Sequence, residues 1–168
     1  MSEKLIHPFE PLIDAHSLVL ILGSFPSIKS FELDFYYAHP RNQFWPIMGE
    51  LFDADVTTVK SRKALAHSKH FALWDVYGSL IRKDGNSSDT NLSQLIPNDL
   101  TELLKKYPKI KHIFCTGKKS YDGVKKHFKA IDLPVTLLPS SSPAYAAMKY
   151  DEKLRHYKII RDTLETTA

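Results

Sequence analysis

The sequence predicts a single α/β domain spanning residues 1–168, with a parallel sheet covered by helices on both faces. Short, almost wholly apolar runs alternate along the chain with segments of helical periodicity, and this is the order of βαβ units. The length is that of one domain, and neither a linker nor an internal repeat divides it.

Four apolar runs are the candidate strands. The first is almost free of polar residues and ends at Gly23, which is typical of a strand buried on both of its faces. The others are similar in length, and the last of them is followed by Pro139. They comprise residues 17–22, 71–76, 110–116 and 134–138.

Helical patterns lie between these runs. Residues 42–52 carry an apolar stripe, and Pro46 falls where the first turn of a helix tolerates proline. A second helix is predicted to open at Pro97 and to stop before Pro108. A third follows Gly117, and a long C-terminal helix covers residues 150–164.

Composition excludes several classes of protein. Apolar residues make up 43% of the chain and charged residues 25%, as in ordinary globular proteins. No apolar run approaches the roughly 20 residues that cross a bilayer, and no secretory signal is recognisable. One cysteine, Cys115, rules out a four-cysteine zinc site or iron–sulfur cluster, and the eight histidines lack metal-binding spacing. We expect a cytoplasmic protein without metal or cofactor.

Positive charge is concentrated in one part of the chain. The net charge is only +4, but residues 103–130 contain nine lysines and one acidic residue, Asp122. Such a surface suits a polyanionic partner, although a solvated lysine face on two surface helices explains it equally well.

Ligands of open α/β sheets bind beyond the carboxyl ends of the strands. That rule points to three predicted loops: the one that begins at Gly23, the one at residues 77–91, and the one at residues 139–147. All three are rich in small polar residues, glycine or proline, which suits a close approach to a ligand.

The first loop continues into a segment, residues 36–45, that combines aromatic rings with histidine, arginine and asparagine. Rings beside hydrogen-bonding groups are suited to binding a flat heterocycle. The alternative is that this segment starts a helix packed into the core, which we favour for Trp45 alone.

The loop after the last strand places three serines between Pro139 and Pro143. Its hydroxyl and backbone N–H groups could bind a phosphate, or the segment could be a plain turn that caps a helix. For Asp75, at the end of the second strand, we favour a structural role in orienting backbone amides. The signatures of serine hydrolases, P-loop proteins and dinucleotide-binding folds are absent.

Five blocks together resemble the DNA-deoxyinosine (hypoxanthine-DNA) glycosylase group of the uracil-DNA glycosylase superfamily. They are GSFPS at 23–27, YYAHPRNQFW at 36–45, LWDV at 73–76, GNSSD at 85–89 and LPSSSPA at 138–144. The resemblance implies a three-layer α/β/α fold with a central four-stranded parallel sheet. It also implies excision of a deaminated purine, chiefly hypoxanthine, which initiates base excision repair.

The resemblance also assigns roles to residues. It gives the catalytic role to Asn42, with His39 either assisting or structural. Ser27 stands where many relatives have glycine, and the serine turn lacks the histidine of the classical uracil enzymes. The implied base pocket comprises Gly23, Ser24, Phe25, Pro26, Ser27, Tyr37, Phe44 and Ser88, and the implied DNA contacts are Ser140, Ser141, Ser142 and Tyr145.

The mechanism expected from these roles begins when the target base leaves the DNA stack. The base would enter between Phe25 and an aromatic ring of residues 36–44, and the N–H groups of the Gly23 loop would stabilise its developing charge. Asn42 would position water or hold the base edge. No amine nucleophile stands out, so we expect no lyase activity. Tyr145 or Met148 is the candidate wedge in the DNA.

We expect a monomer that acts on double-stranded DNA, associates with the nucleoid only through DNA, and does not bind membranes. Three alternatives stay open. The chain could be a uracil or mismatch-specific glycosylase, a nucleic-acid-binding module without catalysis, or a hydrolase of a small nucleotide.

Overall fold

A computed structural model of the chain describes residues 2–7, 10–83 and 92–167. Its strands are β1 (Ser2–Ile6), β2 (Val19–Gly23), β3 (Phe71–Asp75), β4 (Tyr77–Lys83), β5 (Leu92–Pro97), β6 (His112–Thr116) and β7 (Val135–Leu138). Its helices are α1 (Ile28–Leu33), α2 (Phe44–Phe52), α3 (Val59–Lys69), α4 (Leu100–Lys106), α5 (Lys118–His127) and α6 (Tyr150–Thr167).

The central sheet consists of four strands in the order β3-β2-β6-β7, and every neighbouring pair is parallel. All four arise from the apolar runs of the sequence, because a parallel strand covered on both faces needs apolar side chains throughout. The predicted four-stranded parallel sheet is confirmed.

Two hydrophobic clusters cover this sheet, one on each face. Val19 and Ile21 of β2 belong to the cluster that contains the buried residues of α2, α3 and α6. Leu20 and Leu22 point the other way, into the cluster formed with α4 and α5. Alternate residues of one strand therefore contribute to two cores, and the fold has the predicted three layers.

A second sheet was not predicted. β1, β4 and β5 form an antiparallel sheet with β4 in the middle. We predicted residues 77–91 as a loop, and this was wrong for Tyr77–Lys83, which pairs with strands on both sides. Leu5 and Leu95 pack from this sheet against the core, whereas Ile6 and Ile96 are exposed. Ser88 lies outside the described residues.

Two helices begin later in the chain than the sequence predicted. Pro97 ends β5 instead of opening a helix, and α4 begins at Leu100, where the Asp99 side chain accepts the Glu102 N–H at 3.1 Å. An aspartate at this position caps a helix better than a preceding proline can. α2 begins at Phe44, because the Asn42 side chain accepts the Phe44 N–H at 2.9 Å.

The parallel strands end side by side at one edge of the sheet. Gly23 is paired with Asp75 across β2 and β3, and Thr116 with Leu138 across β6 and β7. The segments that follow these four residues therefore meet at the same edge. Within the described ranges, no helix is both long and apolar enough to span a bilayer.

Candidate active site

A cavity of about 590 Å³ opens at this edge of the central sheet. A volume of that size lies in the range of small-molecule sites. It is lined by residues 23–27, by part of residues 30–42, by the ends of β3 and β6, and by residues 140–145. Twelve of the predicted site residues line it: Gly23, Ser24, Phe25, Pro26, Ser27, Tyr37, His39, Asn42, Ser140, Ser141, Ser142 and Tyr145.

The floor of the cavity is packed so tightly that it requires glycine at position 23. A Cβ atom there would lie 2.5 Å from Oδ1 of Asp75 and 3.3 Å from the hydroxyl oxygen of Tyr37. Carbonyl groups of the same loop hold the chain that follows Asp75: Gly23 accepts the Val76 N–H at 2.9 Å, and Ser24 accepts the Tyr77 N–H at 3.1 Å.

Asp75 carries a buried carboxylate on the cavity wall. Its Oδ2 lies 2.7 Å from Nε2 of His7, and both side chains are about 5% exposed. Its backbone carbonyl accepts a hydrogen bond from the Asn98 side chain at 2.9 Å. This carboxylate contacts an imidazole and lines the cavity, and its expected role in orienting backbone amides stays a prediction.

Tyr37 is held in an unusual backbone conformation, with φ of 53°. Its hydroxyl lies 2.9 Å from Oγ1 of Thr116, which is also within 3.3 Å of the Leu22 carbonyl oxygen. Burial, and then the charge of Asp75, raise the pKa of Tyr37 well above its usual range. The phenol is therefore neutral at physiological pH. Left-handed backbone at a non-glycine residue is typical of functional sites.

Phe44 does not line the cavity, contrary to the prediction that it contacts the base. Its ring is fully buried and stacks on Tyr37, with ring centroids 4.1 Å apart. The reason is that Phe44 is the first residue of α2 and lies on the helix face that packs into the core. Trp45 is also buried, as predicted.

Asn42 lies in a short turn that fixes its side-chain amide. Oδ1 accepts the Phe44 N–H, and the Asn42 N–H donates to the His39 carbonyl at 2.9 Å. Among the described residues, the Asn42 Nδ2 group has no hydrogen-bond partner, so its two protons are available to a ligand in the cavity. His39 accepts the Arg41 N–H at Nδ1, 3.0 Å away, which leaves Nε2 as the protonated nitrogen of the neutral ring.

The serine loop, residues 140–145, forms another part of the cavity wall. Ser140 Oγ accepts the Ser142 N–H, and Ser142 Oγ accepts the Ala144 N–H, each at 3.1 Å. The Ser141 carbonyl accepts the Gln43 N–H at 3.0 Å, which ties this loop to the turn that holds Asn42. The loop is therefore both a self-capped turn and a wall of the cavity.

Part of the lysine-rich surface reaches the same edge. α5 begins at Lys118, directly after Gly117, whose Cα faces Ser140 closely enough that an added Cβ would lie 3.5 Å from the Ser140 Cβ. Lys118 forms an exposed ion pair with Asp122, 3.9 Å long, and such pairs contribute little to stability. Within the part of the chain that the structure describes, no group of three metal-ligating side chains is present.

Sequence reasoning missed the partners of this site. Nothing in the pattern around His7 links it to Asp75, which lies 68 residues away, because β1 belongs to the sheet that was not predicted. Thr116 could have been found, since it is the last residue of a predicted strand next to the one that ends at Gly23.

The chain is similar to known DNA glycosylases along nearly all of its length. The family profile described as the uracil DNA glycosylase superfamily matches residues 10–165. Two relatives named hypoxanthine DNA glycosylase, from Methanosarcina barkeri and Methanosarcina acetivorans, are 32% and 31% identical to it over 140 residues. In each case the match covers 81% of this chain and 85% of the relative.

A solved structure shows the same fold. It is the solution NMR structure of a Methanosarcina acetivorans protein proposed to be a uracil DNA glycosylase, with a TM-score of 0.81 and 25% sequence identity. The superposition covers 96% of this chain and 99% of that one. With a profile match over 156 residues and relatives above 30% identity, the chain belongs to the uracil-DNA glycosylase superfamily.

Proposed function

We propose that this glycosylase excises hypoxanthine from double-stranded DNA by hydrolysing the N-glycosidic bond, and that it has no lyase activity. The observation that carries the proposal is the cavity, which brings the Gly23 loop, Asn42 and the serine loop into one site. The names of the two relatives support hypoxanthine as the base.

The lesion has to leave the helix to reach such a site. Flipping a nucleotide costs a few kcal/mol, and less when hypoxanthine is mispaired with thymine. In the proposed complex the base lies against Phe25 and Tyr37, both of which line the cavity. Phe44 contributes by supporting the ring of Tyr37 from behind.

Donors around the cavity match the edge of the base. Hypoxanthine presents acceptors at O6 and N7, and the Nδ2 protons of Asn42 are free to donate to them or to a water molecule. A neutral amide is a weak base, so Asn42 holds and orients groups but does not abstract a proton. In the reaction, the bond between C1′ and N9 breaks with its electron pair going to the base, water adds to C1′, and a proton reaches the departing base.

DNA contacts are proposed for the serine loop and for the rim. Ser140, Ser141 and Ser142 would bind backbone phosphates next to the flipped nucleotide, with Lys118 nearby. Tyr145, whose side chain is 38% exposed at the mouth of the cavity, is the wedge candidate that the geometry favours. Sequence-independent phosphate contacts of this kind weaken as salt is raised. We propose that the protein acts as a monomeric single domain.

The absence of lysine among the residues lining this cavity supports hydrolysis without a lyase step. A lyase reaction needs an amine that attacks C1′. Treating the enzyme and an inosine duplex with borohydride tests this: we expect no covalent protein–DNA adduct, and a trapped adduct would overturn the proposal.

A second candidate is uracil, which the name of the superfamily and that of the protein solved by NMR favour. The experiment that separates the two measures abasic sites formed in labelled duplexes containing inosine, xanthosine, uracil or adenine. We expect release from inosine to be fastest and none from adenine. Faster formation of abasic sites in the uracil duplex would show that uracil is the preferred base. DNA binding without any abasic product would indicate a binding module.

A further inference from the structure

We propose that Lys153 is a positioning residue for base excision: it holds the Asn42–Gln43 turn and the serine loop against each other. This inference rests on the proposed function of the cavity. It concerns a residue outside the cavity lining, for which neither the motifs of the sequence nor the comparisons with known proteins gave a role.

Lys153 occupies a position where a lysine is costly. It lies on the buried stripe of α6 with Tyr157, Ile160 and Leu164, and it is only 1% exposed. Lysine is almost never fully buried without a partner, because moving an ammonium group out of water is expensive. Packing alone would favour an apolar residue at this point of the helix.

Its ammonium group is bound by two neutral oxygens instead of a carboxylate. Nζ donates to Oε1 of Gln43 at 2.8 Å and to the backbone carbonyl of Tyr145 at 2.9 Å, and it lies 5.3 Å from the centre of the Tyr145 ring. Among the described residues, no carboxylate is within ion-pair distance of Lys153. Burial lowers the pKa of this lysine, as expected for a charge without a counter-ion.

The two oxygens belong to two neighbouring segments whose residues Asn42 and Tyr145 form part of the cavity wall. Gln43 directly follows Asn42, and Tyr145 ends the serine loop. A third contact already joins these segments, since the Gln43 N–H donates to the Ser141 carbonyl at 3.0 Å. Lys153 adds a cross-link from behind that fixes the Gln43 side chain and the end of the serine loop at once. A buried, charged donor is stronger and more directional than a neutral one.

This cross-link has a consequence for catalysis because Asn42 must be placed accurately. A displacement of about 1 Å can lower an enzymatic rate by about 100-fold. Without Lys153, the bond from the Gln43 N–H to the Ser141 carbonyl would remain between the two segments, but the Gln43 side chain and the Tyr145 carbonyl would lose their shared donor. The cavity would keep its lining residues but would hold Asn42 less firmly against the flipped nucleotide.

The test replaces Lys153 with methionine, which is similar in length but carries neither charge nor donors. Lys158→Met is the matched control, because Lys158 is an exposed lysine on the same helix. The measured quantity is the single-turnover rate of hypoxanthine release with enzyme in excess, together with the affinity for the inosine duplex. We expect Lys153→Met to lower the saturated rate about 10- to 100-fold with a much smaller loss of affinity, and Lys158→Met to leave the rate unchanged.

A change in stability does not show whether Lys153 positions the site. Methionine removes a desolvated charge, which stabilises the fold, but it also leaves two oxygens without their donor, which destabilises it. The rate is therefore expressed per folded molecule, from an unfolding curve of each variant. If folded Lys153→Met releases hypoxanthine as fast as the wild type, Lys153 is only structural and the inference is wrong.

Two further measurements keep this inference separate from the proposed function. The side-chain amide signal of Asn42 in a ¹H–¹⁵N spectrum reports its position without any activity; we expect it to shift or broaden in Lys153→Met and not in Lys158→Met. An unmoved signal would contradict the inference. A wild-type protein inactive on inosine, xanthosine and uracil duplexes would instead contradict the proposed function, whatever the spectrum shows.

Discussion

Gly23 and Asp75 are in such close contact that a single methyl group at Gly23 would overlap the carboxylate, at 2.5 Å from Oδ1. That carboxylate cannot move aside freely, because its other oxygen is bound to His7 at 2.7 Å. The floor of the candidate active site is thus set by one glycine and one buried contact between an imidazole and a carboxylate.

Replacing Gly23 by alanine is predicted to lower the rate of hypoxanthine release by about 100-fold, since either the loop or Asp75 must shift by a large fraction of an ångström. Gly49→Ala is the control: its Cβ would meet Val56 at 2.9 Å, a comparable clash in α2 that lies outside the cavity lining. We expect both variants to lose stability and only Gly23→Ala to lose most of its rate per folded molecule. Equal rates would refute the account of the floor.

The raised pKa of Tyr37 predicts that the folded protein loses stability at alkaline pH. Burial raises the pKa of Tyr37 well above 10 in the folded protein, while the unfolded chain loses this proton near pH 10. Above pH 10 the unfolded state therefore binds fewer protons, and the free energy of unfolding falls by up to about 1.4 kcal/mol per pH unit from this residue. The raised pKa values of Tyr36 and Tyr157 act in the same direction.

Denaturant titrations of the wild type and Tyr37→Phe between pH 9 and pH 11 check this. Above pH 10 the variant is expected to lose stability less steeply, because its unfolding releases up to one proton fewer. At pH 7 its free energy of unfolding is expected to be lower by about 1 kcal/mol, because the bond to Thr116 is lost. Parallel slopes for the two proteins would show that Tyr37 titrates normally.

Ser27 has a structural role as the residue that caps the first helix, α1. Its hydroxyl accepts the Ser30 N–H at 3.1 Å and caps α1. Since glycine is a tolerable cap and alanine is a poor one, Ser27→Gly should cost a few tenths of a kcal/mol and Ser27→Ala about 1 kcal/mol. Urea unfolding measures both, with Thr58→Ala as a cap control on α3. A glycine variant less stable than the alanine variant would disprove the capping role.

Cys115 is predicted to be chemically inert in the folded protein. It is fully buried in β6, and burial raises the pKa of its thiol to about 12. Because the thiolate is the reactive form, iodoacetamide at pH 8 should modify the unfolded chain and leave the native protein unlabelled. Mass spectrometry with and without denaturant provides the comparison, and rapid native labelling would contradict the burial of this strand.

Much of the fold could be predicted from the local pattern of apolar residues along the chain. A strand such as Val19–Gly23 is recognisable because both of its faces are covered, so every side chain is apolar. The grouping of Gly23, Asn42 and Ser140 also followed, because the carboxyl ends of parallel strands meet at one edge.

What escaped prediction depends on contacts between distant segments. In the antiparallel sheet the pairing between β4 and β5 is bulged, and the apolar residues Ile6 and Ile96 are exposed, so its strands lack a strong apolar signal. Lys153 looks like an interruption of an amphipathic stripe until Gln43 and Tyr145 are seen beside it. Phe44 was assigned to the base pocket because its neighbours are there, whereas the turn of α2 directs it into the core.

The most direct test of the central claim compares wild type and Asn42→Ala in single-turnover release of hypoxanthine from an inosine duplex, with the far-UV spectrum and unfolding midpoint of both proteins recorded. We predict release by the wild type and a loss of at least about 100-fold in the variant, with the fold retained. An unchanged rate in folded Asn42→Ala, or no release of hypoxanthine by the wild type, would contradict the account.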